Sequence, residues 1–427
     1  MASNVPTAPD AAQRPRLLLV APPTSYRIVP YLEAAHRLGI DLVVASQGEH
    51  SLIGAVARGL HVDLQQPERA LAHIVTALRG ETLAGVVGTD DATVELASRV
   101  GLALGLPHNP PEAALLARRK DLARTRLRQA GVPVPDHRRI DLELPLESQL
   151  RAFPFPVVVK PLMLSGSRGV VRADDLPALR GACQRIRGIL DREALADPME
   201  RRHLLVERYL SGTEVALEGM LRDGRLEVLA LFDKPDPLEG PYFEETYYIT
   251  PSRLPAAFQR RIGERAAQAC AAYGLREGPV HAELRLHDGD AWILEVAART
   301  IGGQCARLLR FGTGVGLEEL VLAQAVGRPL PHRSEDGAAG VMMIPIPEAG
   351  VLRRVEGVLA AQRVPYIDEV EISVREGYEL VPLPEGSSYL GFLFAHGPDP
   401  AAVECALRRA HGCLRVVTAP LWKIGAH

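Results

Sequence analysis

HAELRLHDGDAWILEVAARTIGG, from His281 to Gly303, is the stretch around which the chain is organised. HAELRL and AWILEVA each alternate apolar and polar residues, and His287-Asp288-Gly289-Asp290 between them supplies turn chemistry, so a β-hairpin is expected. Glu283 and Glu295 then fall near the middles of neighbouring strands, on one face. Two carboxylates brought together in apolar surroundings repel each other and are costly to bury. A divalent cation relieves that repulsion, and Mg²⁺ held by one or two carboxylates plus phosphate oxygens fits best. Arg299 and the pair Gly302-Gly303 follow at once, offering a guanidinium and open backbone amides where a phosphate would sit. A solvated hairpin edge with two ordinary outward-facing glutamates is the other reading of this stretch taken alone.

Length and composition bound the rest. A chain of 427 residues exceeds one typical core, so about two to four domains are expected. Hydrophobic residues at 47% and charged residues at 24% are ordinary for a globular protein, and a net charge of −3 makes no electrostatic case for nucleic acid or an acidic membrane. The thirteen histidines show no HExxH spacing. Five dispersed cysteines without a CxxC argue against a disulfide framework or a zinc site and point to a reducing compartment. The polar start MASNVPTAPDAAQRP and the short run LLLVA, stopped at Pro22-Pro23, do not read as a secretory leader. A cytoplasmic protein without a membrane or nucleic-acid partner is expected.

Upstream, RLLLVAP, YLEAAHRLG and IDLVVAS read as strand, helix and strand. GVVGTDD repeats the logic, with Thr89, Asp90 and Asp91 capping a helix. Strands alternating with helices argue a Rossmann-type domain over residues 1–112. APPTSY stands where GxGxxG would, which disfavours a dinucleotide site. Pro110–Pro135 reads as one basic helical stretch, in which Lys120 sits among Arg118, Arg119 and Arg124; a solvated helix face is the plain reading of that run. In FPFPVVVKPLMLSGSRGVV, a buried strand carries Lys160, and Ser165, Gly166 and Ser167 can wrap phosphate oxygens, although Gly and Ser also make ordinary turns. No GxxxxGK[ST] occurs.

VERYLSGTEVALEGM reads as strand, turn at Ser211-Gly212 and strand, with Glu207 and Glu214 flanking the turn; an edge strand with alternating charge explains both equally well. Phe232–Pro255 reads as a long ordered loop, rich in proline and aromatics. AAFQRRIGERAAQACAAYG is a helix ending at Gly274. PHRSEDGAAG is a linker, and residues 331–427 read as a smaller α+β unit that packs on the core.

Together these stretches resemble the ATP-grasp superfamily, and within it the carboxylate–amine ligases of the L-amino-acid ligase (dipeptide synthetase) kind. The resemblance implies an α/β and α+β multidomain chain. An N-terminal Rossmann-like domain spans 1–112, and an ATP-grasp domain spans 113–330 with a lid lobe at about 133–205. A C-terminal domain like that of biotin carboxylase spans 331–427. It implies that Lys120 and Lys160 contact the nucleotide and that Ser165–Gly169 close over the phosphates. Glu207 and the backbone of Tyr209 and Leu210 would read the base edge, Glu214 would hold the ribose, and Glu283 and Glu295 would hold Mg²⁺ or Mn²⁺. Arg299 would steady the transferred phosphate.

Many members carry an Asn two residues after the second glutamate as a further metal ligand; here Ala297 stands there, as in the amino-acid-ligase-like members. The implied reaction joins a carboxylate to an amine, both expected to be amino acids, through an acyl phosphate with release of ADP and phosphate. Lys234, Tyr242, Glu244 and Glu245 are the substrate candidates in the long loop, with Gly302 and Gly303 as amides for the substrate carboxylate and His281 as an aid to amine deprotonation. A homodimer is compatible with the resemblance. Two other readings stay open: an ATP-grasp ligase of another class, biotin-carboxylase-like or purine-pathway-like, and a nucleotide-binding protein without catalysis.

Overall fold

In Arg16–Val20 the apolar run leaves no position for water, and it forms the interior of a parallel sheet. The computed structural model describes residues 14–421 apart from 24, 49–56, 194–196, 331–336 and 387. The first sheet runs Arg58–His61, Asp41–Ser46, Arg16–Val20, Gly85–Gly88, all parallel. Leu17 and Leu19 pack with Ile28, Tyr31 and Ala34 of the helix Ile28–Leu38. Leu18 and Val20 point the other way, toward the helices Pro67–Ala77 and Val94–Leu104. The Rossmann-type layering expected here is present, with one strand more than the sequence suggested: Arg58–His61 is mostly exposed and carries no apolar run. The polar start, residues 1–13, lies outside the described residues.

An antiparallel sheet follows, ordered His137–Asp141, His203–Arg208, Val157–Pro161, Val171–Ala173. The helix Leu176–Leu190 covers it through Leu179, Ala182, Cys183 and Ile186, and Asp175 caps that helix by accepting from Ala178 N at 2.8 Å. The main sheet has eight strands, in the order Asp290–Ala297, Gly278–His287, Glu214–Arg222, Arg225–Asp233, Tyr247–Thr250, Ala338–Ile344, Gly391–Gly397, Ile367–Ile372. The helix Ala256–Tyr273 lies behind the hairpin, its Ile262, Ala266 and Cys270 packing against Leu284 and Ile293.

Four readings change. The long loop contains a strand, Tyr247–Thr250, which pairs with Ala338–Ile344. Through that pairing the C-terminal unit shares the main sheet rather than packing on it as a separate layer. The expected linker PHRSEDGAAG falls partly on 331–336, outside the described residues, and its end already belongs to the strand Ala338–Ile344. The basic stretch is two helices, Pro111–Leu116 and Lys120–Gln129, separated where Arg119 is extended (φ −98°, ψ 102°). Among the described residues no helix is long and apolar enough to cross a membrane.

Candidate active site

The strands Gly278–His287 and Asp290–Ala297 form the expected hairpin, closed by Asp288 and Gly289 at φ +49° and +75°. Glu283 lies directly opposite Glu295, while the next pair is Leu284 with Ile293, so Leu294 is an extra residue bulged out of the ladder. On the neighbouring strand Glu214 faces Arg285 and Glu218 faces His281. The polar half of the HAELRL alternation, His281, Glu283 and Arg285, therefore points into one cavity of about 700 Å³.

That cavity is also lined by Lys120, Lys160, Ser165, Gly166, Ser167, Glu207, Tyr209, Leu210, Glu214, Glu245, Glu295, Arg299, Gly302 and Gly303. Lys120 opens its helix with Nζ 3.6 Å from Glu295 Oε2 and 2.8 Å from the carbonyl of Leu164, which it donates to. Lys160 Nζ sits 2.6 Å from Glu207 Oε2, and Arg124 Nε sits 2.5 Å from Glu207 Oε1. All three side chains are buried. Burial depresses the Lys160 pKa below the ordinary lysine value, with Arg124 and Lys120 adding to the effect and Glu207 opposing it. Burial would raise Glu207, but Arg124 and Lys160 outweigh it and hold the carboxyl at about 2. Arg124 was missed in the sequence because it stands in a run of solvated-looking charges; its place beside the fully buried Leu127 on the inner helix face is the signal that was available.

Glu214 takes two cations, Lys234 Nζ at 2.8 Å and Arg285 Nη2 at 2.6 Å. Lys234 also bonds Glu245 and lies 3.8 Å from Glu283 Oε1. Burial works against the Lys234 ammonium, but Glu214, Glu245 and Glu283 outweigh it and hold its pKa well above the usual lysine value. Lys234 is thus an internal counter-charge rather than a substrate contact, and it does not line the cavity. Tyr242 and Glu244 do not line it either; the Tyr242 hydroxyl is taken by Arg185 of the antiparallel sheet's covering helix. Of the loop candidates, Glu245 alone reaches the cavity, held there by Lys234 and by the Tyr248 hydroxyl, which donates at 2.8 Å. Leu210 O accepts from Arg285 at 2.8 Å, and Tyr209 N donates to Pro156 O at 3.0 Å.

His281 Nδ1 lies 3.1 Å from Glu218 Oε2 and its Nε2 lies 3.5 Å from Glu283 Oε1. Glu218 also accepts from Ile301 N at 3.2 Å, and burial raises its pKa against those partners. The N-terminal domain supplies the last wall. Asp91 accepts from Arg299 Nε at 3.0 Å and Nη2 at 2.9 Å, while Arg299 Nη1 donates to Thr300 O at 3.0 Å. Asp90 accepts from Arg27 at 2.6 Å. Both aspartates read in the sequence as helix-cap residues; their second use depends on partners 208 positions away for Asp91 and 63 for Asp90, which no local pattern carries.

The donor set suits a hard divalent cation. Oxygens of Glu214, Glu245 and Glu283 lie within 4.8 Å of one another, but the Lys234 ammonium already balances the first two. Glu283 is left with a raised pKa, from burial first and then from the charges of Glu214 and Glu295, with Lys234 opposing. Glu283 and Glu295, opposed in the ladder and both facing the cavity, are the carboxylates that could hold such a cation. Ala297 is buried opposite His281 and offers no ligand atom.

Three family models match successive stretches: the ATP-grasp N-terminal domain over 32–108, the ATP-grasp domain over 153–307, and the L-amino acid ligase C-terminal domain 2 over 342–419. These matches agree with the fold and cavity above: the chain carries an ATP-grasp N-terminal domain and an ATP-grasp domain, followed by a C-terminal domain of the L-amino acid ligase kind. Carnosine synthase 1 of Gallus gallus is 29% identical over 350 residues, 77% of this chain but 37% of that protein. The alanine–anticapsin ligase of Bacillus subtilis is 25% identical over 277 residues, 61% of this chain and 58% of that protein. The chain therefore spans less than two thirds of the length of either relative. The crystal structure of the L-amino acid ligase from Bacillus licheniformis superposes with a TM-score of 0.79 at 24% identity, covering 95% of this chain and 99% of that one.

Proposed function

We propose that the protein is an ATP-dependent carboxylate–amine ligase that joins two amino acids, passing through an acyl phosphate and releasing ADP and phosphate. The observation that carries this reading is the Glu283–Glu295 pair facing one cavity with Lys120, Lys160 and the Ser165–Ser167 loop. The names of the relatives, L-amino acid ligase and alanine–anticapsin ligase, support the amino-acid class of substrate.

Phosphoryl transfer of this kind needs positioning and charge more than covalent help. Lys120, Lys160 and Arg299 supply cationic donors to the phosphate oxygens, and the amides and hydroxyls of Ser165, Gly166 and Ser167 close over them. The hinge at Glu207, Tyr209 and Leu210 holds the base, with Glu214 near the ribose. Glu283 and Glu295 are the residues that would hold Mg²⁺ or Mn²⁺, which supplies neutralisation of the charge that develops on the transferring phosphate. After the activated carboxylate forms, an amine displaces phosphate. Glu245 and His281, on the cavity wall, are the polar side chains placed to orient that amine, and the amides of Gly302 and Gly303 receive the carboxylate.

The test is a substrate whose carboxylate oxygens carry a heavy isotope. Transfer of one labelled oxygen into the released phosphate is the expected result. Unlabelled phosphate, with amide still formed, would exclude the acyl phosphate.

A further inference from the structure

The loop that covers the phosphate end of the cavity is fastened to the C-terminal part of the chain. Arg168 Nε donates to the backbone carbonyl of Glu385 at 2.9 Å, and Gly169 N donates to Pro384 O at 3.0 Å. The Glu385 side chain continues the contact: its carboxylate pairs with Arg185 on the covering helix Leu176–Leu190, with Nη2 donating to Oε2 at 2.8 Å and Nε bonding Oε1. Ser388 and Tyr389, three and four residues further on, line the same cavity that Ser165–Ser167 line from the lid. Tyr389 leans against Phe392, another cavity residue, with ring centroids 6.2 Å apart. One short segment thus touches both the lid and the far wall of the site.

We propose that Glu385 is a positioning residue that latches the phosphate loop shut from the C-terminal unit, so that ATP is turned over in a cavity already closed against water. The contacts stand by themselves; the consequence for chemistry rests on the ligase reading. Arg185 and Glu385 are partly exposed, and a pair of that kind is weak and screened by salt. Weakness is what a lid that opens in every turnover requires. The two backbone hydrogen bonds fix where the loop rests, and the side-chain pair biases how often it rests there. When the latch is lost, water competes with the amine for the activated carboxylate. The acyl carbon–oxygen bond to phosphate then breaks by hydrolysis, returning the free carboxylate and inorganic phosphate without amide.

The experiment compares the parent with Glu385→Ala, Arg185→Ala and the exchange variant Arg185→Glu/Glu385→Arg. Amide hydrogen exchange of residues 163–170 is followed in the protein as isolated and with MgADP, and phosphate released per amide formed is measured with MgATP and amino acids. Both single variants should exchange the loop severalfold faster and release more phosphate per amide, and the exchange variant should return both toward the parent. Loop exchange equal to the parent in Glu385→Ala, or equally fast in the exchange variant, overturns the latch. The hydrogen-exchange arm needs no ligase activity, so failure of the latch and failure of the ligase reading give different results.

Discussion

Glu283 and Glu295 stand opposite each other because Leu294 is an extra residue in its strand. Carried unbroken from the turn pair His287 and Asp290, the register would set Glu295 against Ala282, whose side chain points to the other face. The bulge shifts the pairing by one and brings both carboxylates to the cavity. A carboxylate pair built by breaking the ladder is aligned for use, since the unbroken hairpin would bury neither beside the other.

Glu283→Gln and Glu295→Gln keep the size and shape of each side chain while removing its charge. ATP turnover should fall by about 10²-fold or more in either variant, on the scale of losing one preorganised electrostatic group. Melting temperature should hold or rise in Glu283→Gln, because that change removes a repelled carboxylate. Turnover close to the parent in either variant would contradict the cation assignment.

The Arg124–Glu207–Lys160 group should dominate local stability. Arg124→Ala leaves Glu207 with half its compensation and should cost about 3–5 kcal/mol in urea unfolding, the range for stranding a buried charge. The pH dependence has a defined sign. Glu207 titrates at about 2 in the folded chain against its ordinary 4.5, so its contribution is present above pH 4.5 and is lost as pH falls toward 2. Glu207→Gln should flatten the stability curve in that window.

Asp91 holds Arg299 by two hydrogen bonds from a different domain. Asp91→Asn keeps the outline but gives up one acceptor and the charge, so the guanidinium loses its fixed angle. Turnover number should fall by about 10²-fold, with the KM for ATP changed much less, as for a misplaced group acting after binding. Equal effects on both constants would make Asp91 a packing residue.

Lys234 occupies the cluster of Glu214, Glu245 and Glu283, whose oxygens lie within 4.8 Å of one another, close enough for a cation to take its place. Lys234→Met should therefore melt lower than the parent in EDTA and recover part of the loss with Mg²⁺ or Ca²⁺, since a ligand that binds the folded state stabilises it by mass action. A melting temperature insensitive to either cation would show that Glu214, Glu245 and Glu283 do not converge.

The hairpin, the Rossmann-type strands and the helix Ala256–Tyr273 were legible because their signals are local: a two-residue turn, continuous apolar runs, a 3.6-residue period ending on Gly274. The strand Tyr247–Thr250 was not, because it lies among prolines and its partner Ala338–Ile344 is ninety positions on. The same distance hid the continuity of the sheet into the C-terminal unit. Arg124 reads as a surface charge and Lys234 as a substrate contact until their carboxylate partners, from other strands, are placed beside them. Glu283 and Glu295 were assigned to one face from their setting, yet the residue that makes it so, Leu294, is unremarkable in the sequence.

The most direct measurement is phosphate release from MgATP by the purified protein, with amino acids offered singly and in pairs and the products weighed. The ligase account requires release that depends on a pair, with a product whose mass is the sum of the two less one water. Release that instead depends on bicarbonate or on a sugar-phosphate amine, with no product from any pair of amino acids, would contradict it.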